Sequence, residues 1–134
     1  MIYVIDASAW LRYALQDGPV REDVAVVLAS AASDAATVCA PQHLAAEVAH
    51  VLHRHRRRGY LTLTEAKAQL DAFLAAPIQY QSIPELTIVA FQLAWQHRLR
   101  VYDALYLSLA MGLQAHLLTT DGDLLNAARL EGCA

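Results

Sequence analysis

Four short strand-like runs, residues 2–5, 37–40, 78–81 and 116–119, punctuate the 134-residue chain, and helical patterns fill every gap between them. Such runs are too short for helices. Ile2-Tyr3-Val4-Ile5 also lacks the polar alternation of a half-exposed strand, so it reads as buried on both faces. Strands that take turns with helices predict an α/β domain on a parallel sheet.

Local chemistry bounds the helices. Asp17-Gly18-Pro19 separates a first helix, residues 8–16, from a second, residues 20–33. Pro41 stops the second strand, and a long helix over 42–58 ends on Gly59 with arginines in its last turn. Thr62-x-x-Glu65 spells a capping box for a helix reaching residue 75. Ser82-x-x-Glu85, with Pro84 in the first turn, opens another that runs to residue 97. Helices over 102–113 and 121–129 complete the set, with no linker, repeat or low-complexity tract between them.

A hydrophobic content of 57% against 17% charged residues argues against disorder. The net charge of −3 does not by itself favour nucleic acid, yet four of the ten basic residues fall in Arg54-His55-Arg56-Arg57-Arg58. Cys39 and Cys133 lack C-x-x-C spacing and read as reduced thiols. The N-terminus enters a strand with no basic region or cleavage site, and the longest apolar stretch, residues 24–32, is too short for a bilayer. A cytoplasmic protein without a membrane segment is the expectation.

Four carboxylates stand where an ordinary domain places something neutral. Asp6 ends the first strand, and Asp121 closes Leu117-Leu118-Thr119-Thr120. Asp103 is embedded in Val101-Tyr102-Asp103-Ala104-Leu105-Tyr106-Leu107, and shares a helix face with Tyr106, Leu107 and Ala110. At roughly 100° per residue, Leu44, Val48, Val51 and His55 share one arc, and Glu47 borders it beside His43, His50, Arg54, Arg57 and Arg58. Each acid has an ordinary reading: helix N-caps for Asp6 and Asp121, a helix N-terminus for Asp103, and a stem laid on the core for Glu47. Acids are nevertheless seldom buried without a partner or a cation, and no Lys or Arg adjoins Asp6, Asp103 or Asp121. Ligands of parallel sheets bind beyond the strands' carboxyl ends, where Asp6 and Asp121 lie.

If the fold gathers the four, a divalent cation is the natural counter-charge. Hard oxygen donors suit Mg²⁺ or Mn²⁺, whose chemistry is phosphodiester hydrolysis. Ser8, Thr119 and Thr120 are candidates to orient the acids. Arg54 and Arg58 fall within about 20° of Glu47 on a helical wheel and extend its stripe as candidate contacts for phosphate. The histidines show no H-E-x-x-H pattern, the glycines no phosphate cradle, and Trp95 and Tyr106 read as core.

Val4-Ile5-Asp6-Ala7-Ser8, Ala46-Glu47-Val48-Ala49-His50-Val51-Leu52, the segment 102–110 around Asp103 and Leu117-Leu118-Thr119-Thr120-Asp121-Gly122-Asp123-Leu124 resemble the four acidic motifs of PIN-domain ribonucleases. Their order, their spacing and the chain length are similar to the VapC toxins of bacterial type II toxin–antitoxin pairs. The resemblance implies a three-layer α/β fold: one domain over residues 1–134, its central parallel sheet of four to five short strands flanked by about seven helices. It implies a Mg²⁺- or Mn²⁺-dependent endoribonuclease, a homodimer and a VapB-type antitoxin. Asp6, Glu47, Asp103 and Asp121 carry over as metal ligands and catalytic acids, with Asp123 and Thr119 as accessory groups. One departure is the missing run for the family's usual fifth strand after the last helix. Two alternatives stand beside this reading. A catalytically silent PIN-like module would bind RNA or a partner. A phosphatase or phospho-receiver would need a lysine at a late strand, and Lys67, the only lysine, lies mid-chain.

Overall fold

The computed structural model describes residues 1–18 and 22–134. Part of the expected Asp17-Gly18-Pro19 break, and the first two residues of the helix expected over 20–33, lie outside the described residues. The strands are β1 (Ile2–Ile5), β2 (Thr37–Pro41), β3 (Ile78–Gln81) and β4 (His116–Leu118). The helices are α1 (Ala7–Leu15), α2 (Glu22–Ala32), α3 (Leu44–Arg57), α4 (Leu63–Leu74), α5 (Thr87–His97), α6 (Val101–Leu113) and α7 (Gly122–Leu130). A 3-10 turn, Pro84–Leu86, precedes α5.

All strand pairs are parallel, in the order β3-β2-β1-β4. The chain steps outward from β1 to β2 to β3, then crosses back over the sheet to lay β4 on the far side of β1. Right-handed connections, the rule for parallel strands, place α1–α4 on one face and α5 and α6 on the other. That is a three-layer α/β domain. Helix α6 lies over β1, β2 and β4 and buries seven successive residues, Ala104 to Ala110. A helix covered almost all round must be apolar almost all round, which explains why this segment shows so little amphipathic pattern. On the opposite face Trp10 meets Phe73 edge-on at 5.2 Å.

Several local expectations hold. Asp6 caps α1, Asp121 caps α7, and Thr62 with Glu65 closes a full capping box on α4. Gly59 follows α3 at φ +77°, a conformation that costs glycine little.

Others are corrected. Pro41 belongs to β2, opposite Gln81, because the ladder is carried past it by the Gln42 N–H donating to the Gln81 carbonyl. The box expected at Ser82 does not form. Glu85 instead takes the side-chain amide of Gln81, and the α-helix proper begins at Thr87. Strand β4 ends at Leu118, one residue early. No fifth strand is present among the described residues; on the outer edge of β4 the Leu117 N–H donates to the Cys133 carbonyl at 2.7 Å.

Trp95, expected in the core, is 89% exposed, with Ile88 and Phe91 beside it on the same α5 face. Ala90 and Leu93, on the opposite face, are the residues α5 buries. Hydrophobicity identified the helix; only tertiary packing decides which of two apolar faces is covered. Among the described residues, no helix is long and apolar enough to cross a membrane.

Candidate metal and active site

The order of the strands reverses between β1 and β4, and a parallel sheet opens a crevice beyond the carboxyl ends at such a point. Asp6 leaves β1 there, and Thr119, Thr120 and Asp121 leave β4. The Asp6 N–H donates to the Leu118 carbonyl, which fastens the two strand ends together.

Hydroxyls hold the Asp6 carboxylate on both sides. Oδ1 accepts from Ser8 Oγ at 2.7 Å and from the Ala9 N–H at 2.9 Å, and Oδ2 accepts from Thr119 Oγ1 at 2.5 Å. Ser8 in turn accepts from the Thr120 N–H, and Thr119 from the Asp121 N–H. Two hydroxyls thus tie the first acid to the loop that carries the last. Asp121 accepts from the Leu124 N–H through Oδ1 and is exposed, as is Asp123 in the first turn of α7.

Across the crevice, α3 presents Glu47. Its Oε1 accepts from the Tyr106 hydroxyl at 2.6 Å and lies 3.2 Å from His43 Nε2, one turn earlier on the same helix. Both contacts fall on Oε1, so Oε2 is left for another partner. His43 Nε2 also lies 2.9 Å from the Tyr102 carbonyl, and its buried Nδ1 has no hydrogen-bond partner. Asp103, half-buried at the start of α6, is paired with Arg100: Nε is 3.3 Å from Oδ2 and a terminal nitrogen 3.5 Å from Oδ1. This corrects the reading of Asp103 as an acid pointing into apolar surroundings. Arg100 stands three positions earlier, the spacing that brings two side chains together on a helix.

The electrostatics join the four acids. Burial, with the charge of Glu47 adding to it, pushes the Asp6 carboxyl up to about 6 against the hydrogen bonds it accepts. Burial would raise Glu47 as well, but hydrogen bonds from His43 and Tyr106 and the charges of His43 and Arg100 hold it below the usual range. Tyr106 is driven well up by burial and by Glu47, and also feels Asp6 and Asp103. Asp103, and then Glu47 and Asp121, strengthen the hold of Arg100 on its proton. All four acids therefore bear on one region.

Among the described residues, no three His, Cys, Asp or Glu side chains are grouped closely enough to hold a metal ion as they stand. The chemistry of the donor set nevertheless fits a hard divalent cation. It consists of carboxylate oxygens, Oε2 of Glu47 is uncommitted, and one cation, the Arg100 guanidinium, is already accommodated among the acids.

A cleft of about 430 Å³ opens beside Glu47, lined by His43, His50, Arg54, Arg100 and Tyr102 among others. Arg54 thus shares a wall with Glu47. Arg58, at the C-cap of α3, is not part of that lining.

The sequence matches the PIN domain family over residues 3–130. The chain belongs to that family. Relatives of this PIN domain carry the name Ribonuclease VapC. Ribonuclease VapC3 of Mycobacterium tuberculosis is 34% identical over 126 residues, 92% of this chain and 85% of the relative. Ribonuclease VapC3 of Pyrobaculum aerophilum is 41% identical over 81 residues, and the chain spans 61% of that relative's length with 58% of its own. The crystal structure of PAE2754 from Pyrobaculum aerophilum has the same fold, with a TM-score of 0.71 over 95% of this chain and 79% of that one, at 23% identity.

At this PIN domain's candidate site, sequence reasoning missed Arg100 and the Tyr106 hydroxyl, and set His43 beside Glu47 without pairing the two. Arg100 to Asp103 and His43 to Glu47 were open to discovery as helical i,i+3 and i,i+4 pairs. Tyr106, which looked like core, is core and hydrogen-bond donor at once; no local signal ties it to Glu47, 59 positions away.

Proposed function

We propose that this PIN domain, a single domain over residues 1–134, is the toxin of a type II toxin–antitoxin pair. On this reading it is an endoribonuclease that hydrolyses RNA phosphodiester bonds with Mg²⁺ or Mn²⁺. The observation that carries the proposal is the Asp6 carboxylate, 5% exposed at the sheet's switch point and within the field of Glu47. Two carboxylates so placed ask for a shared cation.

Asp6, Glu47, Asp103 and Asp121 would hold the metal. Bound there, it supplies Lewis acidity toward an attacking water and charge for the departing oxygen. The protein's own contribution is positional. Ser8 and Thr119 fix Asp6 through both oxygens, and Tyr106 and His43 hold Glu47 through one oxygen only. Arg54 offers a phosphate contact along the cleft, Arg58 a weaker one beyond it. Asp123 is an accessory acid.

The VapC names of the relatives support a VapB-type antitoxin as partner and RNA as substrate, in the cytoplasm. The exposed Ile88, Phe91 and Trp95 face supports a homodimer.

The decisive experiment follows cleavage of total cellular RNA by pure protein with Mg²⁺, Mn²⁺ or chelator. Asp6→Asn, Glu47→Gln, Asp103→Asn and Asp121→Asn should each abolish metal-dependent cleavage with the fold intact, and Asp123→Asn should weaken it less. A second reading, a catalytically silent module that binds RNA or a partner, is favoured by the Arg100–Asp103 pair and by the absence of a ready three-ligand group among the described residues. Metal-independent RNA binding without any cleavage would establish it.

A further inference from the structure

Arg100 holds a position that the helix itself does not reward. It is the N-cap of α6, where Ser, Thr, Asp or Asn would accept a free N–H, and its side chain makes no cap. The guanidinium turns forward instead and lies along both oxygens of Asp103, at 3.3 and 3.5 Å. These are long contacts, at the limit of a hydrogen bond. The two ends are unequal: the Arg100 side chain is 72% exposed, that of Asp103 only 23%. The acid is fixed near the crevice; the cation is free to leave for water. Arg100 also lines the cleft with His43, Glu47 and Arg54, so its charge stands where a divalent ion would enter.

We propose that Arg100 is a resident competitor for the metal site. It holds Asp103 until a divalent cation binds and then surrenders the carboxylate to it, which makes Arg100 a positioning residue that sets the metal concentration at which the site closes. This rests on the metal-dependent reading above. A screened surface pair is weak enough to be displaced and strong enough to matter: it accounts for up to about fivefold in an equilibrium. Asp103, Glu47 and Asp121 act on the Arg100 charge, and His43 and Arg54 line the same cleft; the three acids are those for which cation and guanidinium compete.

The test measures Mn²⁺ affinity by titration calorimetry on the full chain, for wild type, Arg100→Gln and Arg100→Lys, at low and high salt. Arg100→Gln should bind Mn²⁺ about three- to fivefold more tightly at low salt, the gain shrinking as salt screens the pair. Arg100→Lys should lie between, because an ammonium keeps the charge but cannot lie along both oxygens. A merely structural arginine would give the opposite sign, since its loss would loosen Asp103 and weaken the metal. Wild-type binding with equal or weaker affinity in Arg100→Gln overturns this proposal and leaves the metal-dependent reading standing. No Mn²⁺ binding in any of the three overturns both.

Discussion

Replacing Asp6 by asparagine should stabilise the metal-free protein at neutral pH. The carboxyl is pushed up to about 6 from an ordinary 3.8, chiefly by burial. A group raised on folding contributes its full stability below its unfolded value, and that contribution is lost as pH rises through the folded value. At ~1.4 kcal/mol per pH unit, the gap means that the native protein gives up about 3 kcal/mol on going from well below pH 4 to pH 7. Asparagine has no such titration. Its amide can still accept from Ser8 and from the Ala9 N–H on one side and meet Thr119 on the other. Urea unfolding of wild type and Asp6→Asn in chelator, from pH 4.5 to 8, should show a stability difference that grows with pH in the mutant's favour, by about 2 kcal/mol. The same comparison in saturating Mg²⁺ should erase the advantage, because the ion stabilises the charged form. A pH-independent difference between the two proteins would refute the reasoning.

Saturating Mn²⁺ should raise the melting temperature of the wild type, with a hundredfold excess over Kd worth about 2.7 kcal/mol, and Asp103→Asn should mute the response in the same thermal scan. Tyr106→Phe deletes the 2.6 Å hydrogen bond to Glu47, and denaturant melts at pH 7 should show a loss of about 1–3 kcal/mol. Because Glu47 is held below its ordinary value, that loss should disappear as pH falls and the carboxyl protonates. Arg54→Ala should weaken binding of a single-stranded RNA oligonucleotide and flatten the slope of log K against log salt by about 0.7, more than Arg58→Ala does. Trp95→Ser should shift sedimentation from dimer to monomer without altering the far-UV spectrum.

The sequence exposed those features whose causes are local. The strand end marked by Asp6, the Thr62 capping box and the Gly59 stop each depend on a handful of neighbouring residues, and each is found where it was expected. The Ser82 box failed because a cap motif only offers a bond, and Gln81 offered Glu85 a competing one. Trp95 was misplaced because α5 has apolar residues on two faces, and the chain does not state which face meets α6. At the candidate site, the four acids stood out in the sequence as charges in apolar context, although Asp121 is exposed and Asp103 is paired with Arg100. What supports them was not, since Tyr106 reaches Glu47 and Thr119 reaches Asp6 only through the fold, across 59 and 113 positions.

That last separation has a consequence in time. Strand β1 leaves the ribosome before the other three strands, yet it lies inside the sheet and needs β4, the last of them to be made, as its second neighbour. Until Thr119 emerges, Asp6 has lost one of its two clasps and the crevice has only one wall. Contacts of such long range form late. The second clasp on Asp6 and the second wall of the crevice are thus completed only after β4 has been made.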